Sequence, residues 1–456
     1  MPEATLSFPD HSDPEALERH ARALEGHTLA ERLCAEVCAL LRDVTNDVNK
    51  GQFGTILERY YFGLEPNSRA EPDFAEAGVE LKSCPLVQSG RSFSPKERLV
   101  LNIINYAMLR TEEWETSSFW KKNALLLLVF YVWAKDRPAI DNPVRFARLW
   151  HYAEADLAII RKDWETIRDK VRAGLAHELS EGDTLYLGAC RKGHREGPRA
   201  YMDGAPPAKQ RAFSLKQKYL RALLHELEGR KALEDVVGSP MVTSAEEIER
   251  HGGFEALVKA RFEPFIGMTA TDMETALGLA SGEGKGRFDR ISRAVLGVKG
   301  KKIAEFEKAD LTMRTVRLTP VGRPAEAVSF KAFKFVELLE EDWEESTLRE
   351  QLEHRFLFVV FRCRTKKDPA PVLERVLFWT MPIADLEGPV REGWERARLR
   401  IAEDADTLLR ASEGLVVHVR PHARDKEDTF PMPSGRLAPK KSFWLNQEYL
   451  CHVLRG

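Results

Sequence analysis

The chain has 456 residues, 43% hydrophobic and 31% charged, with 69 Lys and Arg against 71 Asp and Glu and a formal net charge of -2. That length predicts two or three domains with sizeable cores, and the charge balance excludes a protein that coats nucleic acid through global basicity while leaving room for one basic cleft. Six cysteines (Cys34, Cys38, Cys84, Cys190, Cys363, Cys451) show neither paired CxxC spacing nor histidine partners, which points to buried free thiols in a reducing cytoplasm rather than to disulfides or zinc.

The opening "MPEATLSFPDHSDPEALERH" is polar and acidic, unlike a signal peptide. "GTILERYY" predicts a helix that carries Glu58. In "DFAEAGVELK", Asp73 precedes a small-residue turn at Ala77 and Gly78, and the turn can fold it back beside Glu80. On the following strand Glu80 and Lys82 point the same way, because side chains alternate faces. Two converging carboxylates suit Mg²⁺, a hard cation that keeps several waters. A neighbouring lysine can hold and polarise an attacking water. Taken alone, the pattern fits a solvated strand face with an ion pair better than a metal site.

"ALLLLVFYVWA" (Ala124 to Ala134) is too short to span a bilayer and predicts a buried strand. From Arg191 to Lys218 the chain carries eight Lys or Arg against two acids, read as a basic loop that leads into a helix at "FSLKQKYLRALLHEL". "GEGKG" (Gly282 to Gly286) lacks the phosphate-loop spacing and predicts a glycine turn before a helix.

An internal repeat changes the balance. "KGQFGTILE" from Lys50 returns as "KGRFDRISR" from Lys285, and "DFAEAGVELK" from Asp73 as "EFEKADLTMR" from Glu305. The segments beginning at Glu112, Asp163 and Phe213 return at Glu341, Gly393 and Phe443, so all five offsets lie between 229 and 235. Two copies of one fold are expected, joined through Glu228 to Glu247. The second copy places Glu305, Thr312, Arg314 and Arg293 opposite Asp73, Glu80, Lys82 and Glu58. Core positions survive while the candidate site is dismantled, the pattern of a retired active site.

With these residues in view, "GTILERYYFGLEPNSRAEPDFAEAGVELKSCPL" resembles the MutH family, which includes the mismatch-repair nicking enzyme and the Sau-type GATC restriction endonucleases. "WETSSFWKK", "DWETIRDKVRAG", "LYLGACRKG" and "AFSLKQKYL" follow in the family's order. The resemblance implies a PD-(D/E)xK restriction-endonuclease-like fold, a mixed α/β sheet with helices on its faces, in two tandem copies. Residues 1–235 would form the catalytic domain, and residues 236–456 a degenerate, DNA-binding effector domain. It also implies Asp73 and Glu80 as Mg²⁺ ligands, Lys82 orienting the water, and Glu58 reaching the same site through water or a second metal. Lys122, or Lys121 one residue away, would stand near the scissile phosphate.

For sequence reading, the resemblance implies Lys192 at the recognition site, where Lys or Arg on guanine is the commonest specific contact. Arg191, Arg195 and Arg199 are expected on phosphates, and Ser214 and Lys216 on the DNA side of "AFSLK". Ser214 stands where the nicking branch has a methyl-sensing tyrosine, which favours restriction over mismatch repair. In the second copy Arg420 and His422 are expected to bind a further target as an allosteric effector, His422 falling opposite Lys192. The expected partner is double-stranded DNA, at two sites at once, with no membrane, for a monomer or a DNA-induced dimer. The competing readings are a mismatch-repair nickase and a non-catalytic DNA-binding protein.

Overall fold

The computed structural model describes residues 8–44, 51–65, 70–192, 197–229, 238–282, 284, 286–366, 368–405, 407–413 and 415–455. They fall into two compact units, one of residues 1–177 and 186–236, the other of residues 178–185 and 237–456. A single boundary at 235/236 does not anticipate that residues 178–185 group with the second unit.

Among its described residues the N-terminal unit has seven strands: β1 (Val79–Ser89), β2 (Ser92–Pro95), β3 (Leu99–Ile103), β4 (Leu125–Val132), β5 (Val144–Trp150), β6 (Leu187–Arg191) and β7 (Arg211–Leu215). One mixed sheet has the order β2-β1-β4-β5, and an antiparallel sheet has the order β3-β7-β6. Strand β4 is the predicted apolar run. Its six residues Leu126–Tyr131 are buried, as a strand covered on both faces requires. It pairs in parallel with β1 from Val79↔Leu125 to Leu86↔Val132. The alternation of β1 sends Val79 and Leu81 into a core with Leu127, Val129, Phe53, Ile56 and Leu57, and each such side chain contributes about 1.5–3 kcal/mol of burial. Phe53 stacks on Tyr131 at 3.8 Å between ring centroids, which docks its helix (Gln52–Ile56) on the sheet. The basic stretch differs from its reading: "FSL" belongs to β7, and the helix starts only at Gln217 (Gln217–Leu227). Phe213, Ser214 and Leu215 are all buried in the sheet, so tertiary burial overrides the helical pattern there.

The C-terminal unit contains β8 (Thr312–Leu318), β9 (Ser329–Phe333), β10 (Phe356–Arg362), β11 (Val372–Trp379), β12 (Val417–Pro421), a hairpin of β13 (Thr429–Pro431) and β14 (Leu437–Pro439), and β15 (Lys441–Leu445). Its sheets have the orders β11-β10-β8 and β12-β15-β9. As with β1 and β4, β8 and β10 run parallel, and β11 runs antiparallel to β10. Gly286, at φ +97, starts the helix Arg287–Val295, the glycine turn expected from "GEGKG".

Contacts inside the first unit recur inside the second, 229 or 230 positions later. Trp114 meets Trp164 at 5.7 Å, and Trp343 meets Trp394 at 5.4 Å. The Tyr219 hydroxyl donates to Asp156 at 2.9 Å, and that of Tyr449 to Asp385 at 2.7 Å. The pair Leu187↔Leu215 of β6 and β7 recurs as Val417↔Leu445 of β12 and β15. Among the described residues no helix is long and apolar enough to cross a membrane, and none of the six cysteines is joined in a disulfide.

Candidate active site

The site is built where a tight hairpin feeds β1. Phe74 and Val79 exchange backbone hydrogen bonds of 2.9 and 3.2 Å, and Gly78 closes the turn at φ +66, a region open to glycine. The fold-back read from sequence therefore forms. The Asp73 N–H donates to Glu80 Oε2 at 3.0 Å, and the Leu81 N–H donates to Asp73 Oδ2 at 3.0 Å. With Val79 and Leu81 turned into the core, Glu80 and Lys82 share the opposite face of β1, level with Leu126 and Leu128. Glu80 is only 1% exposed. Burial pushes its carboxyl up, and the ammonium of Lys82, 2.5 Å from Oε1, pulls it back.

Lys122 sits near the end of the helix Ser118–Asn123, whose start is capped by the Ser117 hydroxyl accepting from Trp120 N–H at 3.1 Å. Its Nζ donates to the Glu71 carbonyl at 3.0 Å and lies 3.5 Å from Glu80 Oε1. Lys121 is exposed, so of the two lysines it is Lys122 that enters the site.

Glu58 occupies a π-turn, Leu57–Tyr61, closed by Phe62 N–H donating to the Leu57 carbonyl at 3.0 Å. Such turns concentrate at functional positions; the sequence pattern reads only as helix. Burial first, and then the charge of Asp73, raise the Glu58 carboxyl to about 7, against the pull of Lys82. Gly54 was not singled out from sequence, although a glycine inside a helical pattern signals close approach. A Cβ there would stand 3.0 Å from the Ser83 hydroxyl of β1, so glycine lets the Glu58 helix lie close to the strand.

Among the described residues no three His, Cys, Asp or Glu side chains gather in a ready ligand cluster, although Glu58 is near enough for the charges of Asp73 and Glu80 to act on it. Two carboxylates with water completing the shell are nonetheless an ordinary Mg²⁺ donor set. Two ammonium groups already gather at Glu80 Oε1, and this fits an oxygen poised for cations.

The basic residues lie on and beyond β6. Arg191 ends that strand. The exposed Lys192 is tied down by its N–H, which donates to the Gln210 carbonyl at 2.9 Å. Arg199 is exposed and bridges Ala208 through two backbone bonds. Arg195 lies outside the described residues. Lys216 precedes the helix Gln217–Leu227, its N–H donating to the Tyr186 carbonyl at 3.0 Å. Ser214 lies inside the sheet. It is 0% exposed on the central strand of that sheet, paired with Gly188 and Val100.

In the C-terminal unit Arg420 and His422 are exposed. The Arg420 guanidinium lies 5.8 Å from the Trp444 ring, and His422 Nδ1 is 3.2 Å from the Ser442 hydroxyl. The His422 N–H donates to the Lys440 carbonyl at 2.7 Å, as that of Lys192 does to Gln210. The aligned positions of the acidic site are occupied differently. Thr312 and Arg314 lie on β8, Arg293 pairs with Asp289 at 2.8 Å, and Glu305 accepts from the N–H groups of Met241 and Val242.

The family model for the DNA mismatch repair enzyme MutH matches residues 62–163, the span from the end of the Glu58 turn through the hairpin, β1 and Lys122. The type II restriction enzyme Sau3AI of Staphylococcus aureus is 35% identical over 439 residues, which cover 88% of this chain and 87% of that enzyme. The DNA mismatch repair protein MutH of Vibrio campbellii is 26% identical over 217 residues, 47% of this chain and 93% of that protein. That of Shewanella amazonensis is 30% identical over 179 residues, 38% of this chain and 77% of its own length. Similarity of this extent, along nearly the whole of both chains, makes this protein a member of the Sau3AI-type restriction enzymes with a MutH domain, a family of site-specific deoxyribonucleases.

Proposed function

We propose that the chain cuts both strands of DNA at or beside GATC in a Mg²⁺-dependent reaction, with the chemistry in the N-terminal unit. The observation that carries this reading is the convergence of Asp73 and Glu80 with Lys82 and Lys122 at the start of β1. Asp73 and Glu80 would hold the ion. When bound, Mg²⁺ supplies positive charge at the phosphate and favours ionisation of a bound water. Lys82, on the same strand face, holds the attacking water by donating from Nζ. Lys122, anchored to the Glu71 carbonyl, sets a second positive charge for the scissile phosphate. Glu58, with its carboxyl held up to about 7, joins the site through water. Lys192 reads the target, Arg191, Arg195 and Arg199 hold phosphates, and the GATC preference follows the resemblance to the Sau-type enzymes.

The C-terminal unit, on this reading, is a second copy of the fold without the acidic site, and it binds a further target through Arg420 and His422 as an effector. The recurrent tryptophan, Tyr–Asp and strand-register contacts support the repeat. The test is incubation with unmethylated plasmid and Mg²⁺, followed by sequencing of the ends. Linear products ending at GATC are expected. Nicked circles alone, or uncut plasmid, would overturn the reading.

A further inference from the structure

Asn123 and Asn102 form an amide pair inside the N-terminal unit that the chemistry above does not use. Asn123 directly follows Lys122 and is 0% exposed. Its Nδ2 donates at 2.9 Å both to the Phe119 carbonyl and to Asn102 Oδ1, while its own Oδ1 is buried without a hydrogen-bond partner. A buried amide oxygen left unsatisfied costs stability that an apolar side chain of similar size would not, so its presence calls for a reason.

The C-terminal unit supplies the control. At the matching end of the helix Thr347–Leu352 it carries Leu352, also 0% exposed, and at the matching place on β9 it carries the exposed Lys331. The strand irregularity itself is common to both units. In β3, Leu101 and Asn102 oppose the single Phe213, and in β9, Phe330 and Lys331 oppose the single Phe443. Bulges of this kind re-aim side chains and recur beside active sites. The bulge is therefore shared, but the amide pair of the unit with the paired carboxylates is replaced at the matching positions of the other by Leu352 and Lys331.

Asn102 is also tied, along the backbone of β3, to hydrogen bonds that reach Lys192. Two residues on, the Ile104 carbonyl accepts from Gln210 Nε2 at 2.9 Å, and the Gln210 carbonyl accepts from the Lys192 N–H at 2.9 Å. At the other end, Asn123 adjoins Lys122, which reaches Glu80. We propose that the Asn123–Asn102 pair is a positioning device that couples engagement of the target at Lys192 to the placement of Lys122 against Glu80. This rests on the roles given above to Lys192 and Lys122.

The experiment uses the full chain and measures four quantities. They are single-turnover cleavage with Mg²⁺ of a GATC duplex, the same for a duplex altered at one base pair, gel-shift affinity for both in Ca²⁺, and thermal stability. Asn123→Leu is expected to keep stability and affinity, yet to slow cleavage of the GATC duplex by about tenfold or more, the scale of a displaced catalytic group. Cleavage of the altered duplex should stay the same, so discrimination collapses. Asn102→Ala, at a half-buried position that folds more safely, should reproduce this, and the double variant should be no worse than either single one. Equal fractional losses on both duplexes would mean a merely structural pair, and unchanged cleavage of the GATC duplex would also sink the proposal. Lys122→Ala and Lys192→Ala are run alongside. If they cut and discriminate like the parent, the underlying assignment of roles fails, and the coupling falls with it.

Discussion

Strands β1 and β8 each run parallel to the buried strand of their sheet, β1 between β2 and β4 and β8 at the edge beside β10, yet the chain ahead of and along them treats a buried carboxylate in opposite ways. Glu80 lies beside Leu126 and Thr312 beside Phe356, each across a parallel pairing. Ahead of β1 the chain makes a tight hairpin that brings Asp73 to Glu80; ahead of β8 it makes the helix Ala304–Ala309. Glu80 is 1% and Glu305 7% exposed, and burial raises both carboxyls. A buried carboxylate needs partners, and the two find different ones. Those of Glu305 are backbone N–H groups, fixed by the fold. Those of Glu80 include two lysine ammonium groups, which side-chain motion or an incoming cation can displace. Burial alone does not make a site; what matters is whether the partners can be exchanged.

The largest effect should separate the two strands outright. Asp73→Ala, Glu80→Ala or Lys82→Ala should slow plasmid cleavage by at least about a hundredfold, the scale of losing one group from a preorganised site. Gel shifts in Ca²⁺ should show that binding persists. Thr312→Ala and Arg314→Ala should leave the chemical step intact, and normal cutting by Glu80→Ala would refute the site.

Within the first unit, Lys192→Ala should cost on the order of 1–3 kcal/mol on the target and relax discrimination there. Arg199→Ala should weaken target and scrambled duplexes alike and reduce the salt slope of binding. Gel-shift titrations over a range of salt distinguish these; identical behaviour of the two variants would end the division between reading and holding.

A smaller, several-fold effect is expected from the second unit. A plasmid with two targets should be cut faster than one with a single target, and an added uncuttable target duplex should rescue the latter, because coupling between sites is reciprocal in binding energy. Arg420→Ala combined with His422→Ala should abolish that rescue and leave slow cutting. Equal rates on both plasmids would leave this unit as a support.

The smallest effect concerns acid. His418 on β12 is 2% exposed with neither ring nitrogen hydrogen-bonded, and burial, followed by the charge of Arg420, lowers its pKa to about 4. Unfolded, it titrates near its ordinary value of about 6.5. Between these values the unfolded chain binds the extra proton, so stability should fall as pH drops from about 6.5 toward 4 and be unaffected above. His418→Phe should flatten that slope in thermal melts of the full chain. The matching position of the first unit, Gly188, has no such group. An unchanged slope would show that the buried ring does not set the acid response.

Much of the site was legible because period-two alternation and a small-residue turn are local rules. They placed Glu80 and Lys82 on one face and brought Asp73 back to them, and the apolar run at Leu125–Val132 announced its own burial. What escaped notice depends on distant neighbours. The π-turn that presents Glu58 has no signature in "LERYY". Ser214 looks polar and available, but lies in the middle of a three-stranded sheet. The choice between Lys121 and Lys122 turns on which ammonium reaches the Glu71 carbonyl, a contact across 51 residues that spacing cannot supply. Glu305 was aligned with Asp73 by sequence, yet a helix replaces the hairpin and turns it toward backbone amides instead.

That helix has an evolutionary consequence. If the two units descend from one nuclease, Thr312→Glu with Arg314→Lys would restore only the strand portion of the lost site. The remaining carboxylate, Glu305, closes the fold around Met241 and Val242, and removing it for catalysis would strip buried amides of their acceptor. The return path therefore requires rebuilding a backbone segment rather than exchanging side chains. On that descent, architecture rather than side-chain choice would hold the lineage to one cutting unit, even where selection would favour a second blade.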